Sequence, residues 1–456
     1  MQTDTIAAIA TAVSDSGIGI IRISGSDALL VADKVYRSPK NQKKLSQAAS
    51  HTIHYGYIYD EDELIDEVMV AVMRSPHSYT TEDTVEINCH GGILVMNRIL
   101  ETVLHHGARL AQPGEFTKRA FLNGRIDLSK AEAVMDLIHS KNEFAMKASV
   151  NQLKGSVSAK VRSLREDILY EIAFIESALD DPEHYDLEGY PQELAKIVDK
   201  EAGEITDLLK TADDGRMIQE GIKTVILGKP NAGKSSLLNF LVGEDRAIVT
   251  EIEGTTRDIL EEYISLNGIT LRVIDTAGIR ETEDIVEKIG VGKAKQMAED
   301  ADLILYVVDS SRPLDDNDED IIELLSGRKS IVIYNKTDLE PVVNMAKLQD
   351  RTGNPVIPVS IVEEKGIRKL EEEIKNMFFK GELSFNDEVY ITNARHKAAL
   401  EEARESLKLV KNSIDMGMAE DFFSIDLMNA YESLGRIVGE SVGEDLVNEI
   451  FSKFCT

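Results

Sequence analysis

The chain is 456 residues long, 43% hydrophobic and 29% charged, with a formal net charge of −30 and two cysteines. That length suggests about three domains, with enough apolar material for several cores. The charge argues against non-specific nucleic-acid binding through a broad basic surface, and the cysteines exclude a disulfide framework and a zinc cluster.

The first apolar run, Thr5 to Ala12, has no basic flank and reads as a buried strand, not as a signal peptide. No run reaches the ~18 apolar residues of a membrane span. The expectation is a cytoplasmic protein with no membrane partner. Ile18 to Ile23 (IGIIRI) reads as a strand closed by Ser24-Gly25-Ser26. His54 to Tyr59, Val68 to Val72 and Val85 to Ile87 read as further strands, and Ile93 to His106 as a helix ended by Gly107. Cys89 and His90 are neighbours on a strand and point to opposite faces, which excludes a nucleophilic pair.

From about Gly114 the chain turns helical, with apolar residues three and four apart over Ala131 to Ile138 and Val161 to Leu179. Asp213-Asp214-Gly215 reads as a boundary. Strands then alternate with helices: Ile222 to Leu227, Leu271 to Ile274, Leu303 to Val308 and Ile331 to Tyr334. This predicts a doubly wound, mostly parallel sheet. The acidic run Asp315–Asp320 reads as a solvated loop. Ala394 to Met416 and Asp421 to Val438 are helical again, and Ser441 to Glu444 fits a capping box for a last helix through Phe454. The fold class is therefore α/β and α+β multidomain. An α+β domain spans 1–120, and a helical domain (121–215 and 383–456) carries the inserted sheet domain (216–382).

Gly228 to Ser235 matches G-x-x-x-x-G-K-S between a strand and a helical run opening at Ser236. Backbone amides over Asn231, Ala232, Gly233, Lys234, Ser235 and Ser236 converge on phosphates at a helix N-terminus. Lys234 reaches the β- and γ-phosphates as a catalytic candidate, and Ser235 ligates Mg²⁺. Asp275, Thr276, Ala277 and Gly278 follow the second strand. Here an acid holds the metal through water and the glycine amide senses the γ-phosphate. Thr255 and Thr256 lie between these motifs, and Thr256 is the candidate second Mg²⁺ ligand. Asn335, Lys336 and Asp338 follow a further strand, with Ser360 in the last base-contacting loop. Asp338 accepts two hydrogen bonds from guanine but faces an acceptor on adenine, which selects GTP over ATP. Ile279 stands where small signalling GTPases place a water-orienting glutamine, so catalytic help must come from elsewhere, with Glu281, Glu283, Asp284 and Glu287 nearby. Loops with Asn before Ala-Gly-Lys-Ser also occur in ribosome-assembly GTPases, so a GTP-switched binding module stands beside a GTP-hydrolysing enzyme.

The chain resembles the bacterial tRNA-modification GTPase family MnmE (TrmE) over essentially its whole length. The resemblance is carried by DTIAAIAT, GIGIIRISG, SYTTEDTVEINCHGG, PGEFTKRAFLNGRIDLSKAEAVMDLI, GKPNAGKSSLLN, GTTRD, DTAGIRE, VEKIG, NKTD and Phe454-Cys455. It implies a folate-binding and dimerising N-terminal domain, a helical domain and an inserted GTPase. The homodimer would work in a heterotetramer with an FAD-dependent partner, MnmG (GidA). Together they would add a carboxymethylaminomethyl-type group to C5 of the wobble uridine of certain tRNAs. The carbon would come from a formyl- or methylene-tetrahydrofolate.

It further implies K⁺-dependent hydrolysis on pairing of the GTPase domains. K⁺ would lie on Asn231, Thr250, Ile252 and Thr255, and Glu287 would be the catalytic acid. The implied folate contacts are Arg22, Glu86 and Arg125. The family usually closes Cys-Ile-Gly-Lys, where this sequence reads Cys455-Thr456.

Overall fold

The computed structural model describes residues 4–39, 44–185, 187–243, 262–266, 268–274, 291–379, 389–440 and 442–454. It divides into two units, Met1–Met135 with Gly435–Thr456, and Asp136–Leu434.

The first unit is built on β1 (Ile6–Ile9), β2 (Ser16–Ser24), β3 (Tyr36–Arg37), β4 (Thr52–Asp60), β5 (Glu63–Met73), β6 (Thr84–Gly91) and β7 (Arg109–Leu110). The sheet order is β3-β4-β5-β6-β2-β1-β7, antiparallel except between β1 and β7. Side chains alternate between the two faces of a strand. Ile21, Ile23, Val68, Val70, Val72, Val85 and Ile87 therefore share one face with Val31, Val35, Met96, Ile99 and Val103 of helices Ala28–Val35 and Ile93–His105. The same period puts Arg22 and Glu86 on the other face, directly across the β2–β6 register. The C-terminal helix Glu444–Ser452 lies against helix Glu115–Leu122. There Phe451 and Phe454 pack with Leu128 and Ala131, and Lys118 Nζ donates to Asn448 Oδ1 at 2.6 Å.

The second unit holds β8 (Ile222–Leu227), β9 (Glu262–Leu266), β10 (Ile269–Val273), β11 (Leu303–Asp309), β12 (Ser330–Asn335) and β13 (Val356–Pro358) in the order β13-β12-β11-β8-β10-β9. All pairings are parallel except β9 with β10. Every residue of β11 and β12 is buried, as befits parallel strands covered on both faces. Helices Lys234–Val242, Asp316–Leu325, Met345–Thr352 and Ile367–Phe379 alternate with the strands. Helix Tyr190–Glu220 precedes the sheet, and helix Ala394–Asp415, which follows it, packs along that first helix. Thr211 Oγ1 donates to the Val389 carbonyl at 3.1 Å and accepts from the Ile391 amide at 3.2 Å. The helix leading into the sheet and the segment following it thus meet at Thr211. Asn142 caps helix Glu143–Lys154, and its amide also donates to Thr270 Oγ1 at 2.9 Å and to the Ile218 carbonyl at 3.1 Å.

Three sequence expectations are corrected. Asp213-Asp214-Gly215 does not break the chain, because helix Tyr190–Glu220 runs through it and Gly221, at φ +87°, ends it. Gly215 serves packing there: a Cβ would sit 2.4 Å from the Ile391 carbonyl oxygen. The acidic run is not a solvated loop. Asp315 is an N-cap, residues 316–325 are helical and Asp318 is buried. The last helix starts at Glu444 with Gly443 as N-cap and no side-chain cap, and it ends at Ser452; Ser441 lies outside the described residues. The edge strand β9 and the short β13 were not foreseen.

Candidate functional site

β8 runs into Gly228, whose φ is +147° and whose added Cβ would lie 2.5 Å from the Val307 carbonyl oxygen. Asn231 is left-handed at φ +61°. Gly233, at φ +104°, leaves no room for a side chain because a Cβ would meet Asn335 Nδ2 at 2.2 Å. Helix Lys234–Val242 begins immediately after it, so Lys234 and Ser235 occupy the first turn, at the positive end of the helix dipole. Ser235 and Ser236 are exposed there.

Lys234 Nζ folds back over the loop, donating to the Gly228 and Lys229 carbonyls at 2.7 Å each. Burial lowers its ammonium to about 8. That is the environment of a cation surrounded by carbonyl dipoles in place of water.

Two other strand ends converge on the loop. Asn335, buried at the end of β12, donates from Nδ2 to the Ala232 carbonyl at 2.8 Å. Lys336, at φ +63°, donates to the Asn231 carbonyl at 2.8 Å and to Asp309 Oδ2 at 2.6 Å. Burial alone would raise the Asp309 carboxyl, but Lys336 and hydrogen bonds from Ser311 outweigh it and hold it below its ordinary value. Exposed Asp338 accepts from Ser360 Oγ at 2.7 Å, and Ser360 itself is fully buried.

Sequence reasoning missed Asp309, although an acid closing an apolar strand is a signal visible in VVD. It also missed Asp315 and Asp318, which hold Lys229. Thr250, Ile252, Thr255, Thr256, Asp275, Thr276, Ala277, Gly278 and Glu287 lie outside the described residues. Among the described residues no group of three or more His, Cys, Asp and Glu could hold a metal ion, and no helix is long and apolar enough to cross a membrane.

A second constellation lies on the other face of the first sheet, beside the small cluster of Ile6, Ala8, Ala111 and Phe116. Arg22 Nε donates to Glu86 Oε1 at 2.8 Å. The Arg22 guanidinium sits 5.6 Å from the Tyr79 ring centre and 5.5 Å from that of Phe116. Arg125 lies over the same Tyr79 ring at 4.9 Å. Two guanidinium groups, one carboxylate and two rings thus meet at one spot, a surface suited to a flat, polar, anionic molecule. Three residues along the same strand from Glu86, Cys89 is buried in the helix-covered core, and burial pushes its thiol up to about 11. His90 is exposed and bonded to Asp66.

A strand, a glycine loop and a helix start, met by two further strand-end loops of one mostly parallel sheet, define a P-loop nucleotide-binding protein. Residues 128–455 match the family described as "MnmE helical domain", and residues 5–125 match "GTP-binding protein TrmE N-terminus". A "tRNA modification GTPase MnmE" of Lachnoclostridium phytofermentans is 59% identical over 455 residues, covering 100% of this chain and 99% of that relative. The protein of the same description from Bacillus subtilis is 48% identical over 458 residues, covering 99% of each. A solved G domain, that of the T. maritima FeoB iron transporter, is 27% identical and covers 34% of this chain and 98% of its own, at a TM-score of 0.25. The chain belongs to the MnmE (TrmE) family.

Proposed function

We propose that the chain is a GTP hydrolase working within a tRNA-modification enzyme, with residues 216–382 as the GTPase domain, 1–120 as a folate-binding and dimerising domain, and 121–215 with 383–456 as the helical domain. The observation that supports this best is the Ser360–Asp338 bond beside the Gly228–Ser235 loop. A carboxylate held there meets the paired N–H groups of guanine and leaves adenine with an acceptor facing an acceptor. The backbone amides of 231–236, aided by Lys234, take the phosphates, and Asp275, Thr276, Ala277 and Gly278 follow the state of the γ-phosphate. Lys234 keeps its charge by exchanging loop carbonyls for phosphate oxygens.

The donor set fits the cations the family implies. Ser235 and Thr256 offer hydroxyl oxygens of the kind Mg²⁺ takes. Asn231 is exposed and, with Thr250, Ile252 and Thr255, offers oxygens to K⁺. Bound cations of this kind neutralise charge developing on the β- and γ-phosphates. Glu287 positions the attacking water in place of the glutamine that Ile279 replaces.

Arg22, Glu86 and Arg125 around Tyr79 and Phe116 suit a formyl- or methylene-tetrahydrofolate. The carboxylate pairs with the pterin N–H groups and the guanidinium groups meet the glutamate tail. On this reading the homodimer joins an FAD-dependent MnmG (GidA) partner in a heterotetramer. The product is a carboxymethylaminomethyl-type group at C5 of the wobble uridine of certain tRNAs, made in the cytoplasm.

The test is GTP and ATP turnover in K⁺ and in Na⁺, with the parent chain and Asp338→Asn. The reading expects guanine preference in the parent, its loss by about 100-fold in Asp338→Asn, and slower turnover in Na⁺. Equal GTP and ATP rates in the parent would sink the nucleotide assignment, and equal rates in the two salts would sink the potassium one.

A further inference from the structure

Lys229 is the first residue after Gly228 in the phosphate-cradling loop, and its side chain leaves that loop sideways. Its Nζ lies 2.6 Å from Asp318 Oδ2 and 2.9 Å from Asp315 Oδ2. Neither acid is a loose surface group. Asp315 caps helix Asp316–Leu325 by accepting from the Asn317 and Asp318 amides, and its own amide donates to Asp318 Oδ2 at 3.0 Å. Asp318 is 1% exposed, and its Oδ1 accepts from Tyr306 Oη at 2.7 Å. Tyr306 is the β11 neighbour of Val307, whose carbonyl abuts Gly228. Lys229 also works through its backbone. Its carbonyl accepts from Lys234 Nζ at 2.7 Å and from the Ala232 amide at 3.3 Å.

We infer that Lys229, held by the Asp315–Asp318 capping box, is a positioning residue that fixes the outer wall of the nucleotide loop, opposite the wall fixed by Asn335 and Lys336. This rests on the nucleotide reading above. Asn335 and Lys336 hold the loop at Ala232 and Asn231; Lys229 holds it at the carbonyl that Lys234 uses. A long side chain ordered by two carboxylates, one of them buried, spends its rotamer freedom before nucleotide arrives. The amides then need no reordering when phosphate binds. Losing the anchor therefore weakens ground-state and transition-state binding alike, which raises KM and leaves kcat in place.

The experiment uses the full chain and a fluorescent GDP, with dissociation followed well below Tm and GTP turnover measured alongside. Lys229→Met keeps the stem and removes the charge. It should release GDP about tenfold faster and raise KM by a similar factor, with kcat within about twofold of the parent. Lys229→Arg should restore parent behaviour. Lys229→Met leaves Asp318 buried with less compensation, so its Tm falls. Lys229→Met/Asp318→Asn removes both charges and should recover Tm without recovering GDP retention. That separates positioning from stability, and it decides the matter if the single variant does not fold. Parent-like release in the double variant overturns the inference. If the parent itself retains no guanine nucleotide, the nucleotide reading fails and the anchor falls with it.

Discussion

Ser360 donates its hydroxyl to Asp338 at 2.7 Å from a fully buried position, twenty-two residues along the chain. An exposed carboxylate is thereby given one orientation by a group that cannot itself move far. Ser360→Ala removes that donor without touching the carboxylate. GTP affinity should fall about tenfold, the scale of one hydrogen bond to a charged group, and discrimination against ATP should narrow. Nucleotide titration checks this, and unchanged affinity would show that Asp338 needs no second-loop support.

Lys234 carries a pH signature. Its folded-state pKa is about 8, against an ordinary value of 10.5. Below pH 8 both folded and unfolded chains hold the proton, and the folded state bears the burial cost. Between about pH 8 and 10.5 only the unfolded chain holds it, so stability from this group rises with pH. Without nucleotide, Lys234→Met should be more stable than the parent at pH 7 by about 1 kcal/mol, after discounting for partial exposure. That advantage should shrink as pH climbs through this window. Chemical denaturation at several pH values reads it, and a pH-independent difference would contradict the burial argument.

Glu86 and Tyr79 bear on the folate proposal separately. Glu86→Gln keeps shape but loses the charge that pairs with Arg22 at 2.8 Å. Tetrahydrofolate affinity should drop about tenfold, the worth of a charge-assisted pair. Tyr79→Leu removes the ring under both Arg22 and Arg125 and should cost a similar factor. Calorimetric titration of the full chain measures both, and parent-like binding by both variants would direct the search for folate elsewhere.

Gly215→Ala sets two magnitudes against each other. In an open helix the change gains about 1 kcal/mol from propensity. Here the new Cβ would lie 2.4 Å from the Ile391 carbonyl oxygen, and overpacking of that kind costs about 1–3 kcal/mol. The clash involves backbone, so it should win and lower Tm by a few degrees. A raised Tm would mean the segment at Ile391 yields readily.

The nucleotide loop was legible because its chemistry is local: a strand, a spaced glycine pair and Lys234-Ser235 specify both conformation and ligand within a few residues. Arg22 and Glu86 were placed only by resemblance. Their pairing depends on a register between strands sixty-four residues apart, which no local pattern encodes. The acidic run misled for a related reason. Asp315 and Asp318 stand three apart, the spacing of a capping box, yet a block of like charge reads as solvated unless Lys229 and Tyr306 are known to face it. Asp213-Asp214-Gly215 carries turn chemistry that neighbouring packing overrides; Gly215 is small because another segment crosses there.

Thr211 touches both Val389 and Ile391, which bears on how this architecture tolerates surgery. Bridging Thr211 and Val389 directly would close a gap of a few ångströms, so a short flexible splice adds little chain entropy. The excised sheet would likewise have neighbouring ends, as a transplantable cassette requires. A chain arranged in this way can lose, exchange or acquire its nucleotide module at the expense of only the last turns of helix Tyr190–Glu220.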